Sequence, residues 1–480
     1  MQATTQSWFD ANLTEPDFSN YRGQFVLSRS RADVPSGWRT AEGAGWHLAV
    51  NDLPIHELVD GERFLGWCVG HPLSAHPVRL DPNNIESFYE TFAGAWALVL
   101  VGMGRLLLDP GGQVPVVYDT ETEIAASTPT LIPTAQPRDL QFEHEVGFPE
   151  RDGWFPFGLT SRPNIRRLLP NHELDLERWT VTRNWPSPDH DFSIHKDMKP
   201  LVASICRDVT NTIRLAREQH PLQITLTAGL DSRMVLACAR EFVSDAKFFT
   251  YSRPEETCDM HIAQRLARIA QLDHRFLPFI DASREQMVEW LHRTGHSISG
   301  GILHIHPSLT QLDPSRVLVT GIGGEIGRSI YYRRGDSSNM ALNAEILLRR
   351  VGRPAAPRLL EAGAHWLEGL RSFDPFVKLD LLYIENRLGC WAAPQKFTNN
   401  VSKFELTPFV DRKIINAMLH LPRYYRWRDN LAHSVMREVW PELRRVPINR
   451  FTEGWRGMRD GMIALVRAAA GPVRYRGGEL

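Results

Sequence analysis

The sequence predicts an α/β protein in two parts, a layered α+β domain over residues 1–185 and a parallel-sheet α/β domain over residues 195–480. Three observations predict it. Before residue 185, apolar runs of strand length are separated by Gly/Pro turns, the pattern of successive strands in a layered sheet. After residue 195, short apolar runs alternate with long amphipathic segments, and strand-helix alternation makes a parallel sheet. Between the two lies the Pro-rich, polar stretch 185–190, read as a linker.

In chain order, strands are predicted at 95–101, 105–109, 114–118 and 124–127, each closed by a turn signal. A helix follows at 198–220 and a strand at 223–227. The next helix, 232–242, carries Val235, Cys238, Ala239 and Phe242 on one face. A strand at 247–251 leads to a helix at 259–270, with Ala263, Leu266, Ala267 and Ala270 at helical spacing. His304 and His306 alternate along an expected strand, so both can face one pocket; the blander reading is two satisfied histidines. Glu385, Arg387 and Trp391 lie at helical spacing and are read as a helix-face contact set.

The 480 residues are 42% hydrophobic and 23% charged, which fits a soluble globular protein. With Lys+Arg 55 against Asp+Glu 56, net charge supplies no attraction for nucleic acid or an anionic membrane. The longest apolar stretch, 93–103, falls short of the roughly 20 residues a spanning helix needs, and the start has no signal-peptide pattern. A cytoplasmic location is expected. Five scattered cysteines with no C-x-x-C pair argue against a disulfide framework, a zinc site and a dithiol relay.

The sharpest local signal is Ile224-Thr-Leu-Thr-Ala-Gly-Leu-Asp-Ser-Arg-Met234, a buried strand, a small-residue turn, then Asp and Ser opening a helix. Small residues let backbone amides approach an anion, and the dipole at a helix start favours phosphate. Asp231 then holds a divalent cation. The alternative is an ordinary strand-to-helix turn with Ser232 as the helix cap.

Thr227-Ala-Gly-Leu-Asp-Ser232 resembles the S-G-G-x-D-S pyrophosphate loop of the adenylating ATP pyrophosphatases, and Leu-Asp-Ser-Arg233 resembles its asparagine-synthetase-like branch. Phe248 to Ser252 is similar to the strand that meets adenine there, and Asp259, Ala263 and Asp273-His274 follow in order. Thr320-Gly-Ile-Gly-Gly-Glu325 resembles the second signature, S-G-x-G-x-D-E, and Pro408-Phe-Val-Asp411 the late P-F-L-D element. Asp109 to Tyr118 and Leu168 to Leu174 are similar to elements of the family's glutamine-hydrolysing domain. The resemblance implies a degenerate, Ntn-hydrolase-like amidotransferase domain over 1–185 and an ATP-binding PP-loop synthetase domain over 195–480. It implies ATP and Mg2+ as cofactors. Thr227, Ala228, Gly229, Leu230, Asp231, Ser232, Arg233, Tyr251, Ser252, Gly321 and Gly323 would bind ATP and pyrophosphate, and Asp231 and Glu325 would hold the metal.

Three departures stand beside these matches. Gln2 occupies the place of the family's N-terminal nucleophilic cysteine, so no glutamine hydrolysis is expected, as in the family's β-lactam synthetases and lasso-peptide cyclases. Ile322 sits where the family often carries Glu or Tyr, and an isoleucine accepts no proton. No lysine follows Lys413, which leaves Arg445 and Arg450 as stand-ins for the family's C-terminal catalytic lysine, or as a solvated arginine cluster.

The function these readings imply is an ATP-dependent amide ligase or cyclase that adenylates a carboxylate, releasing pyrophosphate and later AMP. Its partners would be small-molecule or peptide carboxylate and amine substrates, with ammonia or a separate amine-donor protein as further sources of nitrogen. The alternative is a nucleotide-binding pseudoenzyme or partner protein that has lost turnover.

Overall fold

The computed structural model of the chain describes residues 17–134, 136–149, 151–398, 401–451, 456, 458–460 and 462. Gln2 lies outside the described residues. Two six-stranded antiparallel sheets come first. One is ordered β10 (Ile165–Arg167), β8 (Val117–Asp119), β9 (Ile124–Ala126), β1 (Gln24–Ser28), β3 (Trp46–Asn51) and β2 (Arg39–Gly43). The other runs β12 (Val181–Arg183), β11 (His172–Asp175), β7 (Arg105–Leu108), β6 (Ala93–Leu100), β5 (Arg63–Leu73) and β4 (Ile55–Asp60).

Why β6 reads as an unbroken apolar run follows from the pleat. Successive side chains point to opposite faces, and here both faces are covered. Ala95, Ala97 and Val99 pack with Phe25, Leu27 and Leu48 in one core. Trp96, Leu98 and Leu100 pack with Phe88 and Tyr89 of the short helix Glu86–Thr91 in another.

The third sheet is parallel throughout, in the order β15 (His274–Pro278), β14 (Lys247–Ser252), β13 (Leu222–Thr225), β16 (Val317–Val319) and β17 (Glu405–Leu406). The chain builds outward from β13 through β14 to β15, then returns to β16 on the other side of β13. That reversal is a topological switch point, and the loops leaving β13 and β16 open a crevice beyond the carboxyl ends of the strands. The molecule is thus a mixed α/β protein with one parallel and two antiparallel sheets.

Most predicted elements stand where the sequence places them. The helices Lys199–Gln219 and Cys258–Ala270 and the strands β6, β7, β9, β13 and β14 match within a few residues, while the strand expected at 114–118 forms later, as β8. Helix Leu230–Cys238 begins before the expected Ser232, because Gly229 takes the extended N-cap position with no side-chain cap. Ser232 therefore lies in the first turn and is not the cap.

His304 and His306 are not on a strand. Gly300, at φ +94°, starts the helix Gly301–Ile305, which passes into a 3-10 helix at His306–Gln311. His304 is exposed, whereas His306 is buried, with Nδ1 2.9 Å from the Leu303 carbonyl oxygen and its ring stacked on Trp290. The satisfied reading holds for His306, and no pocket is shared. Glu385, Arg387 and Trp391 fall on a π-helix, Leu382–Ala392, a rare geometry often found at functional sites.

The predicted linker is fastened at its start. Trp185 is buried, and the Arg412 guanidinium carbon lies 4.1 Å from its ring centroid. The largest apolar core joins Phe148, Trp154 and Phe155 to Phe376 and Leu388, so residues from both sides of 185 share one interior. Among the described residues no helix is long and apolar enough to cross a membrane.

Candidate functional site

The loop between β13 and helix Leu230–Cys238 sits at the switch point. Thr227 Oγ1 lies 2.7 Å from Ser232 Oγ, closing the loop on the helix, and Thr227 Oγ1 also accepts from the Gly229 amide at 3.3 Å. The helix has no side-chain cap, so the amides of Leu230, Asp231 and Ser232 begin it without intrahelical acceptors. Such a terminus attracts an anion. Ala228 differs, because its amide already donates to Asp259 Oδ1 at 2.7 Å. Asp259 thus fixes the loop's shape.

The loop after β16 closes over this helix start. A Cβ at Gly321 would lie 2.8 Å from the Ser232 nitrogen, and one at Gly324 would lie 2.7 Å from Asp231 Oδ1. Only glycine permits that approach. Gly323 has φ +92°, and a Cβ there would meet Val410 at 2.7 Å. The P-F-V-D segment therefore serves as a wedge under the glycine loop, while Asp411 caps helix Arg412–Leu419 by accepting from the Lys413 amide.

Asp231 is the electrostatic centre. Oδ2 accepts from Arg328 Nη1 at 2.7 Å, and Arg328 Nε donates to Asp429 at 2.8 Å. Oδ1 is buried with no hydrogen-bond partner. Burial first, and then the neighbouring Glu325 carboxylate, push the Asp231 pKa up to about 7 against the pull of Arg328. Glu325 Oε2 accepts from Tyr383 Oη at 2.7 Å and from the Gly323 amide at 3.1 Å. Burial and Glu325 together push the Tyr383 phenol well above its ordinary pKa.

A divalent cation fits this donor set, since an orphaned carboxylate oxygen beside a second carboxylate is hard-oxygen chemistry. Arg328 already supplies one positive charge there, a feature the motifs do not contain. Among the described residues no group of three or more His, Cys, Asp or Glu gathers as a metal site.

Tyr251 and Ser252 end β14, next to β13, both half-buried. Ser252 Oγ donates to the Leu277 carbonyl at 3.3 Å, and Tyr251 packs edge-on to Phe249. Ile322 is half-buried against the main apolar core.

The phosphate contact read for Arg233 competes with bonds that both of its Nη atoms already make. That side chain is fully buried and donates to the carbonyls of Ala228, Leu443, Val446 and Pro447. It ties the loop to the late segment, and the Asn449 amide adds a bond to the Ala228 carbonyl at 3.2 Å. Arg450 is the next residue along, and both it and Arg445 are exposed.

Sequence reasoning missed Gly324, Arg328, Tyr383 and Asp429. Gly324 had a local signal, as the third glycine of Gly321-Ile-Gly-Gly324. Arg328 closes the short helix Gly324–Arg328 that the glycine loop opens, but its pairing with Asp231, like the reach of Tyr383 and Asp429 to the site, had none.

No protein-family model matches the chain, and no curated protein matches it. Among solved structures, one similar chain is the NAD+ synthetase of Burkholderia pseudomallei, 12% identical, with 52% of this chain and 91% of that chain covered and a TM-score of 0.16. That likeness is too slight to assign a fold.

Proposed function

We propose that the chain is an ATP-dependent, AMP-forming ligase that activates a carboxylate and passes the acyl group to an amine or ammonia. The observation that carries this reading is the orphaned Asp231 Oδ1, set between an uncapped helix start and Glu325 at a sheet switch point. Thr227, Gly229, Leu230 and Ser232 would cradle the phosphates, with Gly321 and Gly323 closing the loop above them. The Tyr251–Ser252 end of β14 would contact the adenine. Asp231 and Glu325 would hold Mg2+, which supplies charge stabilisation on the pyrophosphate leaving group. Arg445 and Arg450, both exposed on the segment that Arg233 and Asn449 tie to the loop, would meet charge developing during transfer.

One observation favours the second reading, a nucleotide-binding pseudoenzyme. Arg328 occupies one side of Asp231 with a permanent charge, so part of the metal's electrostatic work is already done. Calorimetry of Mg-ATP on the wild type and on Asp231→Ala, followed by assays for AMP and pyrophosphate with a carboxylate panel, separates the readings. Magnesium-dependent binding lost in the variant, with AMP formed on a cognate carboxylate, supports the ligase. Binding without AMP supports the pseudoenzyme, and no binding by folded wild type sinks both.

A further inference from the structure

A cavity of about 530 Å3 lies between residues from both sides of Trp185 and shares no lining residue with the loop at Thr227–Ser232 or the loop at Gly321–Glu325. One wall is built by β8, β10, β11 and β12, the other by helix Pro357–Glu368. This volume suits a small molecule.

The charges around the cavity are engaged elsewhere. Arg183 pairs with buried Glu385, and Arg358 pairs with Asp139 at 2.8 Å, both acids lying outside the lining. Arg167 gives Nη2 to Ser297 Oγ at 2.9 Å. Arg166 and Glu361 are exposed, one of each sign. A charged ligand would therefore leave water for walls that hold no spare counter-charge. Apolar surface is what the interior does supply, through Leu159, Leu169 and the rings of Phe157 and Trp366, whose centroids lie 6.0 Å apart. The Trp366 indole N–H is already given to Glu385 at 2.7 Å.

One polar atom is left over. His172, across from Arg183 in the β11–β12 pair, is half-buried in the lining. Its Nδ1 lies 3.0 Å from the Pro170 carbonyl oxygen, which has no proton to give, so Nδ1 carries the hydrogen. Burial lowers the imidazole pKa below its ordinary 6.5, so at neutral pH the ring is uncharged and Nε2 is a bare acceptor. That nitrogen has no hydrogen-bond partner among the described residues, and it is not sealed off from the surface.

We infer that this cavity binds a small uncharged aromatic molecule carrying an N–H or O–H donor, at a site separate from the proposed nucleotide site. His172 Nε2 accepts from the donor, and the side formed by Phe157 and Trp366 takes the ring.

Ligand-observed NMR on the full chain at neutral pH with indole, 1-methylindole and indole-3-acetate tests this. Indole has the donor, 1-methylindole keeps the ring without it, and indole-3-acetate adds a negative charge. Saturable binding of indole, about tenfold tighter than either of the others, is the expected result. Ala362→Trp, which fills the cavity from the helix side, should abolish indole binding. His172→Phe, which keeps a ring and deletes the acceptor, should bring indole down to the level of 1-methylindole. The site is overturned if indole does not bind, if 1-methylindole or indole-3-acetate binds as tightly as indole, or if indole binding survives Ala362→Trp in a protein of unchanged melting temperature. Survival would place indole elsewhere, such as the Tyr251–Ser252 end of β14. If Ala362→Trp does not fold, His172→Phe decides alone, and undiminished indole binding there also overturns the site.

Discussion

The Tyr383 hydroxyl donates to Glu325 Oε2 at 2.7 Å, joining a π-helix to the glycine loop across 58 residues of sequence. The bond fixes which way the carboxylate faces. Its second anchor, the Gly323 amide, reaches the same oxygen, so both hold Oε2.

Tyr383→Phe keeps the ring and deletes that anchor. Carboxylates that serve a cation depend on such outer partners, whose loss typically costs 10–100-fold in metal affinity. The Mg2+ concentration needed for half-maximal ATP binding should rise about tenfold, with affinity at saturating Mg2+ little changed. Calorimetry across a Mg2+ series reads both, and an unchanged requirement would detach Glu325 from the cation.

Asp231 should make stability depend on pH. Its folded pKa, about 7, lies above the ordinary value of 3.8. Between those values the folded state holds a proton that the unfolded chain has released, so this group's stabilising contribution is complete below 3.8 and lost as pH rises through 7. Asp231→Asn cannot titrate. It should therefore gain stability relative to the wild type between pH 5 and pH 8, by about 2–3 kcal/mol. Urea unfolding of both proteins at the two pH values checks the sign, and equal differences at both would contradict it.

Arg328 is the charge that keeps Asp231 and Glu325 tolerable together when no metal is present. In Arg328→Gln the carboxylates lose it, and breaking a largely buried pair by removing one partner is destabilising. Without divalent cation the variant should lose about 2–3 kcal/mol, and millimolar Mg2+ should return much of the loss by binding only the folded state. A loss that Mg2+ does not touch would mean that these oxygens do not take the ion.

What could be read in the sequence was local. The turn before helix Leu230–Cys238, the glycines at 321 and 323 and the acids at 231 and 325 each announce themselves within a few residues, because backbone approach and helix starts are short-range matters. Arg328 and Tyr383 reach their partners across 97 and 58 residues, and one chain carries no sign of such pairings. Arg233 adds a role the motif does not announce: besides the Ala228 carbonyl nearby, it bonds carbonyls more than 200 residues away. The strand expected at His304–His306 failed because alternation over so few residues also fits a helical turn once Gly300 has set the chain's direction.

Glu385 tests how the sheets of the first part are tied to the rest. Fully buried, it takes both guanidinium ends of Arg183 from β12, the Trp366 indole at 2.7 Å and the Asn171 amide at 3.3 Å. Glu385→Gln keeps the shape but leaves Arg183 as a buried charge without its counter-ion, a change that typically costs about 3–5 kcal/mol. Replacing both partners, Arg183→Met with Glu385→Leu, removes the stranded charge along with the pair. The double variant should therefore be more stable than Glu385→Gln, although Trp366 and Asn171 lose an acceptor in it. Chemical denaturation of the two variants against the wild type reads the order directly. Were the double variant the less stable, the pair would be contributing attraction beyond its desolvation cost, and the junction would owe its hold to charge more than to the apolar core that Phe155 and Leu388 share.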